Sequence, residues 1–389
     1  MAKAIPFGLD GGNGSLKGWS SAMLEGILIP SVFYKLGIDN DVEDNLDHTD
    51  YTPENIVDNL DITYVSTKAL DETNQRYYIG NRVAKEFKDG SETTTESIKY
   101  IDKTPILVGL AALAVDAIKR NPEKTKIKIN YDLGLALPVL DISTGAKIQE
   151  ERFMGTHELI VHQPSGNNIQ LTITVEFASC IPEGAAAAWG VVYDEKGRAN
   201  KRKYLENDVV KIGDFRDLPM THADIGGGST ELVYTEGIQY YHKQSDGLPF
   251  GTKQIIVEIN KDWNKTRRQG RLKTVNDFTK VYFDNTDPRH AELNLFAKSR
   301  LDRQGDKIGR EIVNFYNGFS SASTALPLII YGGGAILFKD SISKVLEQNG
   351  LLDKVVFLED ALFTNAKGLL VYCSSPVFAK KKEAALGVA

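Results

Sequence analysis

The order of apolar and polar residues along the chain predicts an alternation of strands and helices. Residues 169–177 alternate strictly between apolar and polar side chains, which indicates a strand with one buried face. A second strand is predicted over residues 126–137 and ends at Pro138. Further strands are predicted over residues 3–10, 15–23, 26–33 and 354–358.

Other segments repeat their apolar residues every three or four positions, as an amphipathic helix does. Residues 104–120 show this spacing, with Pro105 at a position that suits the first helical turn. Pro182 begins an alanine-rich helix that carries Glu183 in its first turn. Further helices are predicted over residues 250–263, 290–319 (where Gly305 could interrupt the helix), 335–348 and 365–372. The mixture of strands and helices predicts an α/β fold.

Three polar segments lack this periodicity. Residues 35–75 are acidic, above all between Asp39 and Asp50, and we interpret them as a small inserted subdomain. Its acidic run is interpreted as a solvated loop, with part of a protein contact as the alternative. Residues 194–220 are basic and are interpreted as a long surface insertion in the form of a solvated loop. A second basic stretch covers residues 265–273.

Length and composition narrow the class of protein. A chain of 389 residues exceeds what one hydrophobic core usually organises, so two lobes are expected. The net charge of −6 argues against a surface devoted to nucleic acid. The two cysteines, Cys180 and Cys373, lack metal-ligand spacing, and residues 106–115 form an apolar stretch too short to span a bilayer. We therefore expect a cytoplasmic protein with no membrane association.

A glycine-rich turn lies between two apolar runs in residues 222–234 and predicts a strand, a tight turn and a strand. Three adjacent glycines let the backbone turn sharply and bring several N–H groups close to a bound anion. The candidate ligand-binding residues here are Gly226, Gly227, Gly228, Ser229 and Thr230. Asp224, before the turn, could hold a cation against the charge of the anion. A purely structural hairpin is the alternative interpretation.

The same arrangement occurs near the N-terminus, where Asp10 closes an apolar strand. The residues that follow it and could bind the anion are Gly11, Gly12, Asn13, Gly14, Ser15 and Lys17. A third glycine turn follows a buried-type strand and opens a helix with Gly332, Gly333, Gly334 and Ala335. Two acid–glycine hairpins and one glycine turn suggest two half-sites that close on one nucleotide, with the third turn binding its nucleoside end.

Several other kinds of site are excluded. The chain has no Walker-type phosphate loop and no serine-hydrolase elbow, and Lys17 stands where a dinucleotide-binding loop needs its third glycine. His157 and His162 are one residue too far apart for the zinc-protease pattern and lie in strand-like sequence.

A phosphate and magnesium site remains. Asp10 and Asp224 are expected to face each other and to hold Mg²⁺, through its water, against a polyphosphate. Lys17 could reach the terminal phosphates or point to solvent. Glu183 is the candidate for orienting an attacking water, and its alternative role is to complement the helix dipole. The candidate catalytic residues are thus Glu183, Asp224 and Asp10.

Four segments in this order resemble the superfamily of actin, Hsp70 and the sugar kinases. They are Asp10–Lys17 as first phosphate hairpin, Pro182–Trp189 as connecting helix, Asp224–Glu231 as second phosphate hairpin and Tyr331–Ala335 as adenosine turn. The resemblance covers nearly the whole chain. It implies a two-lobed actin-like fold of duplicated RNase H-like domains, with small inserted subdomains and a central nucleotide cleft.

Within that superfamily the chain looks most like the ParM group of bacterial actin-like ATPases, which segregate plasmids. The supporting segments are Leu135–Pro138, Pro182–Glu183, Tyr78–Asn81 and Asn365–Gly368. The resemblance implies Glu183 as the water-orienting residue and Asp10 and Asp224 as the magnesium-associated acids. It also implies ATP-dependent filaments, with GTP as an alternative nucleotide, that move plasmid DNA through a DNA-binding adaptor. Residues 194–220 have no counterpart in this pattern, and ribose-binding residues near 302–307 are not matched.

The resemblance also divides the chain. Lobe I is expected over residues 1–182 and 362–389, with a small insertion at about 34–95. Lobe II is expected over residues 183–361, with a small insertion at about 245–310. The main rival function is a monomeric small-molecule kinase of the same superfamily. The other rivals are a chaperone-like ATPase and direct DNA binding by the two basic stretches, for which subunit contacts or solvation are the preferred interpretation.

Overall fold

The computed structural model describes residues 3–21, 25–37, 52–85, 90–92, 98–163, 166–206, 209–319 and 326–387. The chain divides into two units, and each contains a sheet with helices. Unit 1 comprises Met1–Gly190, Glu195–Gly197 and Asn365–Ala389, and unit 2 comprises Val191–Asp194 and Arg198–Thr364. The predicted α/β class is therefore confirmed. The acidic run between Asp39 and Asp50 lies outside the described residues.

Unit 1 is built on one mixed sheet. Its strands are β1 (Ile5–Gly11), β2 (Ser15–Ser20), β3 (Ile27–Pro30), β4 (Val32–Lys35), β5 (Asp61–Ser66), β6 (Gln75–Ile79), β7 (Ser91–Glu92), β8 (Lys126–Leu137), β9 (Gly155–Val161) and β10 (Ile169–Pro182). In the described part of the chain their order is β3-β2-β1-β8-β10-β9-β5-β6-β4-β7. The central strands β1, β8 and β10 run parallel, so their carboxyl ends lie at one edge of the sheet.

The strands of unit 1 follow the apolar pattern that predicts them. In the first part of β10, the apolar residues from Ile169 to Val175 are buried and the polar residues between them are more exposed. The predicted strand at residues 126–137 is confirmed as β8 with the same bounds. The predicted strand at 26–33 is divided into β3 and β4 around Ser31. Sequence periodicity thus locates the parallel strands β1, β8 and β10, whereas β5, β6 and β7 were not predicted.

The helices of unit 1 cover this sheet. They are α1 (Asn81–Lys85), α2 (Thr104–Arg120), α3 (Ile142–Phe153), α4 (Glu183–Val192), α10 (Thr364–Cys373) and α11 (Pro376–Leu386), where α4 and α10 each cross the boundary between the units by one or two residues. The predicted helix at 104–120 is confirmed as α2, which is buried along most of its length. Helices α3 and α11 were not predicted.

Unit 2 has a second sheet and a separate hairpin. The strands are β11 (Lys201–Glu206), β12 (Val209–Asp214), β13 (Pro219–Ile225), β14 (Thr230–Glu236), β15 (Gln239–Tyr240), β16 (Asp246–Leu248), β17 (Leu328–Tyr331) and β18 (Val355–Phe357). The order β15-β14-β13-β17-β18, with β16 also paired to β14, forms the main sheet among the described residues. Strands β13, β17 and β18 are parallel.

The interpretation of residues 194–220 as a solvated loop is wrong. Strands β11 and β12 pair antiparallel there, from Lys201 opposite Asp214 to Glu206 opposite Val209. The basic residues of β11 lack the apolar alternation that predicts a strand, so its pairing with β12 could not be read from the sequence. The insertion is therefore a β-hairpin.

The helices of unit 2 are α5 (Lys253–Lys265), α6 (Val275–Phe283), α7 (His290–Asn317), α8 (Gly333–Leu337) and α9 (Lys339–Gln348). Helix α7 is continuous, so the interruption considered at Gly305 does not occur. Gly305 has a packing role instead, because a β-carbon there would lie 2.6 Å from Cβ of Ser341 on α9. The predicted helix at 335–348 is divided into α8 and α9 at Phe338. Within the described residues, no helix is both long and apolar enough to cross a membrane.

Candidate functional site

The first glycine hairpin joins β1 to β2 in unit 1. Asp10 and Lys17 are direct partners across the two strands, and Lys17 Nζ lies 3.5 Å from Asp10 Oδ2. Both side chains are mostly buried. A β-carbon on Gly12 would lie 2.7 Å from Lys17 Nζ, so the lysine lies against the turn rather than extending into solvent. Glycine at position 12 therefore makes room for the ion pair.

The turn of this hairpin is braced by Ser31, which the sequence did not mark. Ser31 Oγ donates to the carbonyl oxygen of Gly12 at 2.7 Å, and Ser31 N donates to that of Gly14 at 3.1 Å. The side-chain oxygen Oδ1 of Asn13 is buried and accepts no hydrogen bond from the described residues. A buried acceptor of this kind usually meets a partner outside the protein chain, such as water or a ligand. Ser15 begins β2 directly after the turn.

Glu183 lies at the same sheet edge as Asp10. It follows Pro182, the last residue of β10, and begins α4, while Asp10 is near the end of β1. Strands β1 and β10 both run parallel to β8, so their carboxyl ends meet at one edge. Ligand sites in α/β sheets are commonly found at such an edge. The structure therefore brings two of the candidate catalytic residues to one side of unit 1.

The Glu183 carboxylate is held by a lysine that sequence reasoning missed. Lys99 Nζ donates to Glu183 Oε1 at 2.7 Å, and both side chains are largely buried. Because 84 positions separate the two residues, no local sequence signal indicates the pair.

Helix α4 is fixed in place by α10. A β-carbon on Gly368 would lie only 1.8 Å from the carbonyl oxygen of Ala186 and 2.8 Å from the amide nitrogen of Gly190. Only glycine permits this approach of the two helix backbones. The Asn365–Gly368 segment thus supports the helix that carries Glu183.

The second glycine hairpin joins β13 to β14 in unit 2. Asp224 lies opposite Glu231, and Ile225 opposite Thr230, across the two strands. Gly226 N donates to the carbonyl oxygen of Ser229 at 2.9 Å and closes the turn over Gly227 and Gly228. The hydroxyl of the buried Thr230 donates to the carbonyl oxygen of Phe250 at 2.9 Å, so this hydroxyl serves the packing of unit 2.

The turn is also tied to the start of α5. Thr252 N donates to the carbonyl oxygen of Gly226 at 3.1 Å, and Lys253 N donates to that of Gly227 at 2.8 Å. The carbonyl groups of Gly226 and Gly227 therefore point toward the start of α5. No local pattern predicts this contact, because it joins residues more than 20 positions apart.

The third glycine turn contacts Asp224 within unit 2. Gly332 has a φ of +88°, and a β-carbon there would lie 2.6 Å from Asp224 Oδ1 and 2.5 Å from the carbonyl oxygen of Ile225. A β-carbon on Gly334 would lie 2.2 Å from Ile225 Cγ2, whereas one on Gly333 would meet only Leu362 Cδ1, at 3.9 Å. The close contact with β13 therefore requires glycine at positions 332 and 334. Ala335 is buried in the short α8 that follows.

Other residues considered from the sequence have structural partners. Asp302 accepts hydrogen bonds from Lys298 Nζ and Ser341 Oγ, and Lys307 Nζ lies 3.8 Å from the centre of the Phe250 ring. His157 and His162 bond to Thr67 and Thr63. Burial lowers the pKa of both histidines. The described residues contain no group of three or more His, Cys, Asp or Glu that could hold a metal ion.

Each hairpin, taken by itself, carries a buried carboxylate beside a glycine turn, a donor set of the kind that binds phosphate oxygens and a divalent cation. Asp10 and Asp224 are both buried. A carboxylate oxygen is the hard ligand that Mg²⁺ prefers, usually with water between. The acceptor Oδ1 of Asn13 could bind a water or another donor at the first turn. At the glycines of the two turns no side chain covers the backbone, so a ligand can approach the backbone closely.

Comparison with known proteins points to actin-like proteins. A family model described as "Actin like proteins N terminal domain" matches residues 8–185. Among solved structures, the actin-like protein Alp7A has a TM-score of 0.73 at 19% identity and covers 99% of this chain and 100% of its own. ParM from Bacillus thuringiensis, solved with ATP, has a TM-score of 0.64 at 15% identity, covering 97% of this chain and 99% of its own.

A third similar structure, the apo form of psk41 ParM, has a TM-score of 0.63 at 17% identity and covers 98% of this chain and 100% of its own. No curated protein sequence matches the chain. Over nearly its full length the chain thus has the same fold as Alp7A and the two ParM proteins. The predicted two-lobed actin-like fold is confirmed, and residues 8–185 are the part of the chain that matches the family model of actin-like N-terminal domains.

Proposed function

We propose that the protein is a filament-forming actin-like ATPase that segregates plasmid DNA, and that ATP hydrolysis controls filament turnover. The observation that carries this proposal is the pair of acid–glycine hairpins, β1–β2 and β13–β14, in a chain whose fold matches Alp7A and ParM from end to end. The Bacillus thuringiensis ParM was solved with ATP, AMPPNP and ADP.

In this proposal the two hairpins bind one nucleotide. Backbone N–H groups of the turns at 11–15 and 227–229 donate hydrogen bonds to its phosphates, and the glycine turn at 332–334 binds its nucleoside end. Asp10 and Asp224 hold Mg²⁺ through its water, and the bound ion neutralises phosphate charge. Lys17 balances the charge of Asp10 at the first turn. The nucleotide is ATP, with GTP as the alternative.

Glu183 orients and polarises the attacking water. Phosphoryl transfer demands little covalent chemistry from the protein, so placing the nucleophile and stabilising charge account for most of the catalysis. The placement of Glu183 at the carboxyl end of β10, at the sheet edge that also carries Asp10, supports this role. Hydrolysis would then limit the lifetime of each filament.

The partners follow from the same proposal. Other copies of the chain form the filament, and a DNA-binding adaptor links the filament to the plasmid centromere. The protein acts in the cytoplasm and does not bind nucleic acid directly, in keeping with its net charge of −6.

Light scattering and pelleting test the proposal directly. Addition of ATP and Mg²⁺ to the purified protein should raise light scattering and move the protein into the pellet, where electron microscopy should find filaments. Phosphate release should follow polymerisation, and the signal should fall once ATP is spent. A monomeric kinase would give neither scattering nor a pellet and would release phosphate only to a small acceptor, an outcome that would replace the proposed function.

A further inference from the structure

We propose that Lys99 is a positioning residue for hydrolysis, which holds the Glu183 carboxylate in the orientation that directs the attacking water. The inference rests on the proposed ATPase function and adds a residue that no sequence motif indicates. Lys99 acts through Glu183 and is not assigned a contact with substrate.

The contact itself is short and shielded. Lys99 Nζ lies 2.7 Å from Glu183 Oε1, and the exposed fractions of the two side chains are 11% and 9%. A hydrogen bond between two charged groups is roughly twice as strong as one between neutral groups. Within the described part of the chain, Lys99 is the one residue that donates to this carboxylate. The lysine therefore largely decides how the end of the Glu183 side chain is turned.

The segment that carries Lys99 is fixed to two helices. Arg152 on α3 donates through Nη1 to the carbonyl oxygens of Tyr100 and Asp102, each at 2.9 Å. The Tyr100 ring packs on Gly145 of α3, where a β-carbon would lie 2.2 Å from ring atom Cδ1. Asp102 Oδ1 accepts from both the amide and the hydroxyl of Thr104, at the start of α2. Lys99 is therefore presented to Glu183 from a well-anchored backbone.

The anchoring of Lys99 matters because Glu183 must hold the attacking water in one orientation. A glutamate side chain has several rotatable bonds, and each conformation that misplaces its carboxylate lowers the fraction of time in which water is correctly oriented. Lys99 occupies Oε1 and leaves Oε2 as the acceptor for water. A fixed Oε1 thus sets the direction of Oε2. A supporting residue of this type is what precise catalytic geometry requires.

Steady-state ATPase measurements on substituted proteins test the inference. Lys99→Met should lower kcat roughly tenfold to a hundredfold, the cost of a misplaced catalytic group, while KM for ATP changes less than about twofold. Lys99→Arg should restore most of the lost kcat. Lys103→Met is the matched control, because Lys103 is an exposed lysine of the same segment, and it should turn over ATP at the parental rate.

Measurements in Glu183→Gln protein separate a positioning role of Lys99 from an effect of Lys99 on protein stability. In Glu183→Gln protein, Lys99→Met should have almost no further effect on kcat, because the carboxylate through which Lys99 acts is gone. Lys99→Gln keeps a hydrogen-bond donor and serves if Lys99→Met does not fold. Parental kcat in a folded Lys99 variant, or an equal loss in the Glu183→Gln background, would overturn the inference. Absence of ATP turnover in the unaltered protein would instead contradict the proposed function, and the inference with it.

Discussion

Lys17 Nζ lies 3.5 Å from Asp10 Oδ2, and the two residues are direct partners across β1 and β2. Strand register, rather than a flexible side chain, places the cation beside the acid. The pair is mostly buried, so neither charge is well solvated. Asp10 therefore depends on Lys17 for charge balance within unit 1.

Removal of Lys17 should weaken both folding and nucleotide binding. Lys17→Met leaves the buried Asp10 without its nearest cation, and breaking a buried ion pair in this way is strongly destabilising. We expect a lower melting temperature and a KM for ATP raised roughly tenfold. Lys35→Met removes a cation from an exposed pair with Glu72 and should leave the melting temperature unchanged. Similar melting curves for the two variants would show that the Asp10 pair is not needed.

Loss of Glu183 should separate ATP binding from hydrolysis. Glu183→Ala is expected to bind ATP and to polymerise, but to release phosphate roughly a hundredfold more slowly, because the water loses its orienting group. Filaments should then persist after the parental filaments have disassembled. Phosphate release and light scattering recorded on the same sample measure both effects. A variant that hydrolysed ATP at the parental rate would disprove the assigned role.

Gly332 should tolerate no side chain. With a φ of +88° and a virtual β-carbon 2.6 Å from Asp224 Oδ1, Gly332→Ala must distort both the turn and the neighbouring end of β13. We expect a clear fall in melting temperature and a loss of ATP affinity, measured by thermal unfolding with and without the nucleotide. Gly333→Ala, whose β-carbon meets only Leu362 Cδ1 at 3.9 Å, should unfold near the parental temperature. Equal unfolding temperatures for the two variants would refute the steric argument.

His157 should make the protein less stable in mild acid. Burial lowers its pKa below 6.5, and its ring bonds to Thr67 and to the carbonyl oxygen of Phe153. The unfolded chain therefore binds a proton more readily, and this contribution to stability, complete above pH 6.5, declines as the pH falls below that value. His162, with a pKa shifted in the same direction, adds to the effect.

Urea unfolding at about pH 7.5 and about pH 5.5, on either side of the ordinary histidine pKa, measures this dependence. His157→Gln should reduce the difference in unfolding free energy between the two pH values. His242→Gln changes an exposed histidine and should keep the parental difference. An unchanged difference in His157→Gln protein would show that this histidine does not govern the acid sensitivity.

The sequence predicted those parts of the fold that depend on local patterns. Strand β8 and helix α2 have the predicted bounds because their apolar spacing is regular and their ends carry strong signals such as Pro138 and Pro105. Asp10 and Asp224 lie near the ends of predicted strands, and Glu183 begins a predicted helix. Their joint action on one nucleotide stays a prediction.

Elements held by distant contacts were missed. Helix α11 has a lysine-rich sequence that resembles a solvated tail, yet Lys382 donates to Asp132 and Glu176 of the central sheet, at 2.8 Å in each case. Ser31 and Lys99 support the candidate site through contacts with residues far away in sequence. The local pattern of one sequence does not show which residues far apart along the chain are in contact. The interpretation of residues 194–220 as a solvated loop failed because it relied on their basic composition, which did not reveal the pairing of β11 with β12.

The two glycine hairpins share one backbone plan but differ in charge. Each places an aspartate opposite the residue seven positions later, which is Lys17 in β2 and Glu231 in β14. Glu231 is 3% exposed and its carboxylate lies beside Gly247 of β16, whereas Asp224 Oδ1 lies beside Gly332. At matching positions the first hairpin therefore carries one acid and one lysine, whereas the second carries two buried acids, so the two turns offer a bound anion different electrostatic surroundings.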